Sequence, residues 1–192
     1  MAKKSKLYEK PGRMPDLNSL KREEIITQYI NEITQLHKES AKSQRFTLLL
    51  YQLFGVEPQL IENYISGIEK SVSVKHEDRI LKGRVDELFG NLIIEFECDL
   101  RKSKDEAEEQ LKKYVAYLWT NESEERTPYL CIATDGINFS IYSPLLLTSL
   151  KDTINPHDIK LEPIEPMINL SLLTTDDVYF FLDRYFLAKK KI

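Results

Sequence analysis

Gly90-Asn91, set between two apolar-rich runs, constrains this chain more than any other feature. Gly-Asn suits a two-residue turn with positive φ, so residues 81–97 read as a β-hairpin. Counting outward from the turn pairs Phe89 with Leu92, Leu88 with Ile93, Glu87 with Ile94, Asp86 with Glu95 and Arg84 with Glu97. Strand side chains alternate with period two, which puts Arg84, Asp86, Glu95 and Glu97 on one face. Val85, Phe89, Leu92, Ile94, Phe96 and Cys98 share the other, a core face. Two carboxylates directly opposite on neighbouring strands repel. A cation, a proton or Arg84 must offset them, and we read the cation as a divalent metal. In the plainer reading the same face is simply wet and Arg84 alone neutralises it.

The rest of the chain alternates helix and strand. Residues up to about Asn18 contain Pro11, Gly12 and Pro15 without periodicity and read as a flexible leader (1–18); residues 19–192 read as one domain. Ile25, Ile26, Tyr29, Ile30, Ile33 and Leu36 recur at helical spacing, and Phe46, Leu49, Leu50, Leu53 and Phe54 continue the pattern to a stop at Gly55. One long helix fits, as do two that break near His37 to Ser40. Gln59 to Ile68 suits a short helix and Ser71 to Lys75 a first strand. Beyond the hairpin, Lys104 to Trp119 forms an amphipathic helix with the stripe Ala107, Leu111, Tyr114, Val115 and Leu118. Tyr129 to Thr134 is a buried strand, Asp135-Gly136 a turn and Asn138 to Tyr142 another strand. Leu161 to Pro166 has two prolines and cannot be a central strand. Asp176 to Lys189 is a last helix capped by Thr174 or Thr175. Helices should pack on both faces of a mixed sheet, in an α/β fold.

Composition excludes several classes of protein. No apolar run approaches the length of a membrane span, and no signal-peptide pattern opens the chain, so a cytoplasmic protein is expected. A net charge of −4 argues against a protein that coats nucleic acid nonspecifically, though not against an enzyme whose own site is acidic. Cys98 and Cys131 both lie in apolar runs and read as free buried thiols; a zinc site needs more ligands. His37, His76 and His157 are isolated and read as surface residues. Arg101 with Lys102, and Lys112 with Lys113, flank the hairpin acids in sequence. As solvated charges they need no function; with Arg84 they are also the candidate DNA contacts.

Asp86, an eight-residue gap and then Glu95-Phe96-Glu97 resembles the D…(D/E)-x-K signature of the PD-(D/E)XK nuclease superfamily. Gln110 and Tyr114 match the Q-x-x-x-Y helix motif of its RecB-like branch. Tyr129 to Gly136 followed by Phe139-Ser140-Ile141-Tyr142 is similar to the strand-turn-strand of one subgroup. That subgroup comprises the N-terminal endonuclease domains of restriction-modification enzymes fused to DNA methyltransferases, with relatives at the start of type I restriction subunits. The resemblance spans roughly residues 39 to 145. It implies a three-layer α/β/α restriction-endonuclease-like core, αβββαβ, with a mixed central sheet and extra N-terminal and C-terminal helices. One position departs from the signature: Glu97 stands where the family usually has lysine.

The implied activity is Mg2+- or Mn2+-dependent hydrolysis of phosphodiester bonds in double-stranded DNA. Magnesium takes a few carboxylate oxygens together with waters and substrate phosphate, and Asp86 and Glu95 supply two such carboxylates. The resemblance adds the Phe96 carbonyl as third ligand, Gln110 to orient a water or the scissile strand, and Glu39, at the start of the second helical run, as an outer acid, a role for which Glu62 and Glu69 compete. Tyr114, one turn beyond Gln110, can hydrogen-bond a phosphate or the carboxylates. Glu97 is either the general base or a ligand of a second metal. The implied partners are DNA and a methyltransferase or specificity domain or subunit; a standalone relative and a piece of a fused enzyme both fit. The competing function is a catalytically inactive nuclease-fold module that binds DNA or a partner subunit.

Overall fold

The computed structural model describes residues 19–55, 92–122, 126–147 and 153–187. The hairpin turn at Gly90-Asn91, with Arg84 and Asp86, lies outside the described residues. So do the leader, the expected helix at 59–68 and the expected strand at 71–75.

Helix α1 (Ser19–Ile33) and helix α2 (Glu39–Phe54) are separate, so the chain breaks where His37 to Ser40 interrupt the apolar period. Gly55 ends α2 at φ 70°, and its N–H returns to the Tyr51 carbonyl, as a glycine C-cap does. Strand β1 (Leu92–Phe96) is followed by helix α3 (Leu100–Asn121), then by β2 (Leu130–Thr134), β3 (Asn138–Leu146), β4 (Ile159–Asn169) and helix α4 (Thr175–Leu182). The sheet order is β1-β2-β3-β4; β1 runs parallel to β2, and the other pairs are antiparallel. This is a mixed α/β fold with a mixed, open sheet. No helix among the described residues is long and apolar enough to cross a membrane.

Two cores lie on opposite faces of the sheet. Leu92, Ile94, Phe96, Ile132, Phe139 and Ile141 join residues of α1, α2 and α4 in one. Ile93, Cys131, Ala133 and Tyr142 join Leu100, Ala107, Leu111 and Val115 of α3 in the other. Helices therefore cover both faces. Phe46 of α2 ties the first core together, with its ring centroid 5.8 Å from Phe96, 5.7 Å from Phe139 and 5.0 Å from Phe186.

Four sequence expectations are refined. The β1 face that carries Ile93 and Glu95 is not a wet hairpin face, because α3 packs over it. Cys98 is exposed rather than buried: β1 ends at Phe96, and the two-residue alternation stops with it. Cys131 is buried as expected. Strand β3 runs four residues past Tyr142, through Pro144, because its ladder with β2 ends at Tyr142 and only β4 accompanies it beyond. Proline lacks the N–H a second neighbour would need, so that overhang is where it fits. Pro163 and Pro166 lie in β4, an edge strand of this sheet, and the β3–β4 register slips beside them.

Helix α4 starts one residue before the expected position, with Thr174 as its N-cap accepting from the Asp177 N–H at 3.2 Å. Five residues of π-helix, Asp183–Leu187, follow it.

Candidate functional site

The acidic residues of β1 gather where β1 and β2 end side by side and α3 begins. The chain is tightly held there. Glu97 donates its N–H to the Thr134 carbonyl at 2.8 Å, extending the β1–β2 ladder by one residue. Asp99 caps α3 by accepting from the Arg101 N–H at 3.2 Å. Asp135 caps it a second time from the β2–β3 turn, accepting from the Leu100 N–H at 3.0 Å. The buried Asp135 carboxylate also accepts from the N–H groups of Ile137 (3.0 Å) and Asn138 (2.7 Å) and from the Asn138 side-chain amide (2.9 Å). Tyr29 of α1 donates to the Gly136 carbonyl at 2.5 Å. Thr134-Asp135-Gly136 is thus a structural knot that fixes the frame around the acids.

Within that frame, Glu95 is half-buried opposite Ala133 in the parallel register, on the α3 side of the sheet. Phe96 is buried in the opposite core. Glu97 is half-buried. Burial pushes its carboxyl above the ordinary range; a hydrogen bond from Ser103 opposes this, and the charges of Glu39 and Glu106 push it further up. Glu39, the first residue of α2, has Oε1 3.5 Å from the Cys98 thiol. Glu39 is therefore beside the residue that directly follows Glu97. Ser103 sits at a kink in α3 (φ −111°, ψ 23°), and beyond it Glu106, Gln110 and Tyr114 follow one another at four-residue spacing, which is one helix stripe. Gln110 is half-buried on that stripe, two turns beyond Ser103, and makes no side-chain hydrogen bond among the described residues. Tyr114 is partly buried against the second core.

Three of the described basic residues are already engaged by neighbouring acids. Arg101 and Lys102 pair with Asp99 at 3.4 and 2.8 Å, and Lys112 pairs with Glu109 at 2.6 Å. Lys113 is exposed. Exposed pairs of this kind are weak enough to exchange for a phosphate.

Sequence reasoning missed Lys42, Ser103 and Glu106. Lys42 left a signal: it lies four residues before Phe46 and seven before Leu49, where the apolar stripe of α2 calls for a hydrophobic residue. Ser103 and Glu106 left none, because a polar residue in the first turns of a helix is ordinary.

Among the described residues no group of three or more His, Cys, Asp or Glu side chains is arranged to hold a metal ion. Glu95 and Glu97 alone do not make such a site; Asp86, outside the described residues, is the third carboxylate of the sequence motif. No family model matches this chain, and neither a curated protein nor a solved structure does.

Proposed function

We propose that this chain is a metal-dependent DNA endonuclease domain of the restriction-modification type. The supporting observation is the half-buried Glu97 just beyond the end of β1, two residues after the half-buried Glu95. Glu97 is half-buried, with Glu39 and Glu106 close enough to raise its carboxyl further. Like charges gathered at a strand end are destabilising by themselves and become favourable around a cation. The donors are hard carboxylate and carbonyl oxygens, which suit Mg2+ or Mn2+ rather than a soft metal. Asp86, Glu95 and the Phe96 carbonyl would hold it, and when bound it supplies charge stabilisation at the phosphate and a more acidic water.

The chain's own residues do the rest. Glu97, whose raised carboxyl is better matched to proton transfer than an ordinary one, takes the proton of the attacking water. Gln110 and Tyr114 orient that water and the strand to be cut. Arg84, Arg101, Lys102, Lys112 and Lys113 contact backbone phosphates, which position DNA without reading its sequence. One observation favours a second reading, a noncatalytic module that binds DNA or a partner subunit: Glu97 replaces the lysine of the resembled signature.

Calorimetric titration of the full chain with Mn2+ tests the metal reading. We expect one binding event in the wild type and at least about tenfold weaker binding in Asp86→Ala and Glu95→Gln. Equal binding by all three would contradict it.

A further inference from the structure

Lys42 is a charged residue in a place that ordinarily rejects one. It lies on the inward stripe of α2 and is only 8% exposed. Its Nζ donates to the Cys98 carbonyl at 2.6 Å, and no carboxylate among the described residues is within ion-pair distance of it. A buried ammonium is costly unless its protons are matched, and a leucine or methionine here would complete the stripe without that cost. What the ammonium holds is the link between β1 and α3. Cys98 directly follows Glu97 and directly precedes Asp99, the N-cap of α3. One turn earlier on α2, Glu39 meets the same residue through the Cys98 thiol. Two side chains of one helix turn therefore converge on Cys98, one on its carbonyl and one on its sulfur.

We propose that Lys42 is a positioning residue: it locks the Glu97–Asp99 link to α2 and so carries the Glu39 carboxylate to the β1 acids. It acts through the backbone and through Glu39, and touches no reacting group. As a device for metal binding this rests on the function proposed above. It also ties α2, which packs on the opposite core from α3, to the residue just before the N-cap of α3.

The test uses the full chain with Lys42→Met and Lys42→Arg. Amide hydrogen exchange without metal compares residues 97–103 with the β3 core, and Mn2+ affinity is measured alongside. We expect Lys42→Met to exchange severalfold faster at 97–103 with β3 unchanged, and to bind Mn2+ about tenfold more weakly, the usual scale for an outer-shell partner. Lys42→Arg, which keeps a charged donor, should recover both toward wild type. If Lys42→Met also lacks Glu39 at the site, adding Glu39→Gln to it should weaken binding little further. Wild-type exchange at 97–103 in Lys42→Met would overturn the proposal, as would faster exchange with unchanged Mn2+ affinity. Failure of the wild type itself to bind Mn2+ would defeat the metal reading instead, and the exchange comparison would then decide the lock alone.

Discussion

Two carboxyl groups carry most of the information at the scale of single residues, and they differ in what offsets them. Glu97 has Ser103 as a donor and two acids as neighbours. Removing its charge in Glu97→Gln should stabilise the metal-free protein by a few tenths to about 1 kcal/mol, the scale of neighbouring like charges on a sheet. The same variant should lose Mn2+ affinity; urea unfolding with and without Mn2+ would show the two effects with opposite sign. Asp183 is buried in the π-helical turn after α4 and makes no ion pair or side-chain hydrogen bond among the described residues. Burial pushes its carboxyl up to about 6. A folded-state value above the unfolded one means the fold binds the proton more tightly than the open chain does. The resulting stability is present at low pH and is lost as pH rises through about 6. Relative to Asp183→Asn, the wild type should lose roughly 1–2 kcal/mol between pH 4 and pH 7, after allowance for solvent screening. Parallel stability curves for the two proteins would contradict this.

Among the elements, the β2–β3 turn bears the most. Asp135→Ala would strand the N–H of Leu100, Ile137 and Asn138 and the Asn138 amide, and should cost roughly 3 kcal/mol or more in urea unfolding. Asp135→Asn keeps one acceptor oxygen and should cost visibly less. Gly136 sits at φ +85°, and a Cβ there would meet Ile33 Cγ1 at 2.9 Å and the Tyr29 hydroxyl at 3.1 Å. Gly136→Ala should therefore destabilise through both strain and overlap, by about 2 kcal/mol. Elements of this local kind were legible in the sequence: the Gly55 stop, the Asp135-Gly136 turn and the Thr174 cap each depend on a few adjacent residues. Interactions between distant segments were not. Nothing near Glu95 announces that β2, more than thirty residues on, lies parallel to β1 while α3 covers their common face. Strand β4 was hidden because its prolines signal a loop equally well, and Cys98 because alternation does not say where a strand ends. Lys42 was visible as a flaw in an apolar stripe, but its partner 56 residues away was not.

At the scale of the whole molecule, two cores clamp a mixed sheet from both sides, and the acids of β1 emerge where α2 and α3 meet the end of β1. The first core fixes Phe96, the second fixes the start of α3, and Glu97 lies between them. The proposed hydrolysis of a phosphodiester would use this scaffold to hold Glu95 and Glu97 at a strand end, and in that proposal Glu97 is the residue that separates catalysis from mere binding. Cleavage of supercoiled plasmid DNA by the full chain in Mg2+ or Mn2+, with Asp86→Asn, Glu95→Gln and Glu97→Lys in parallel, addresses this directly. We predict metal-dependent nicking or cutting by the wild type, lost in Asp86→Asn and Glu95→Gln and abolished or strongly altered in Glu97→Lys. An inert wild type beside an active Glu97→Lys would show instead a nuclease site that has lost its lysine, and would contradict the account.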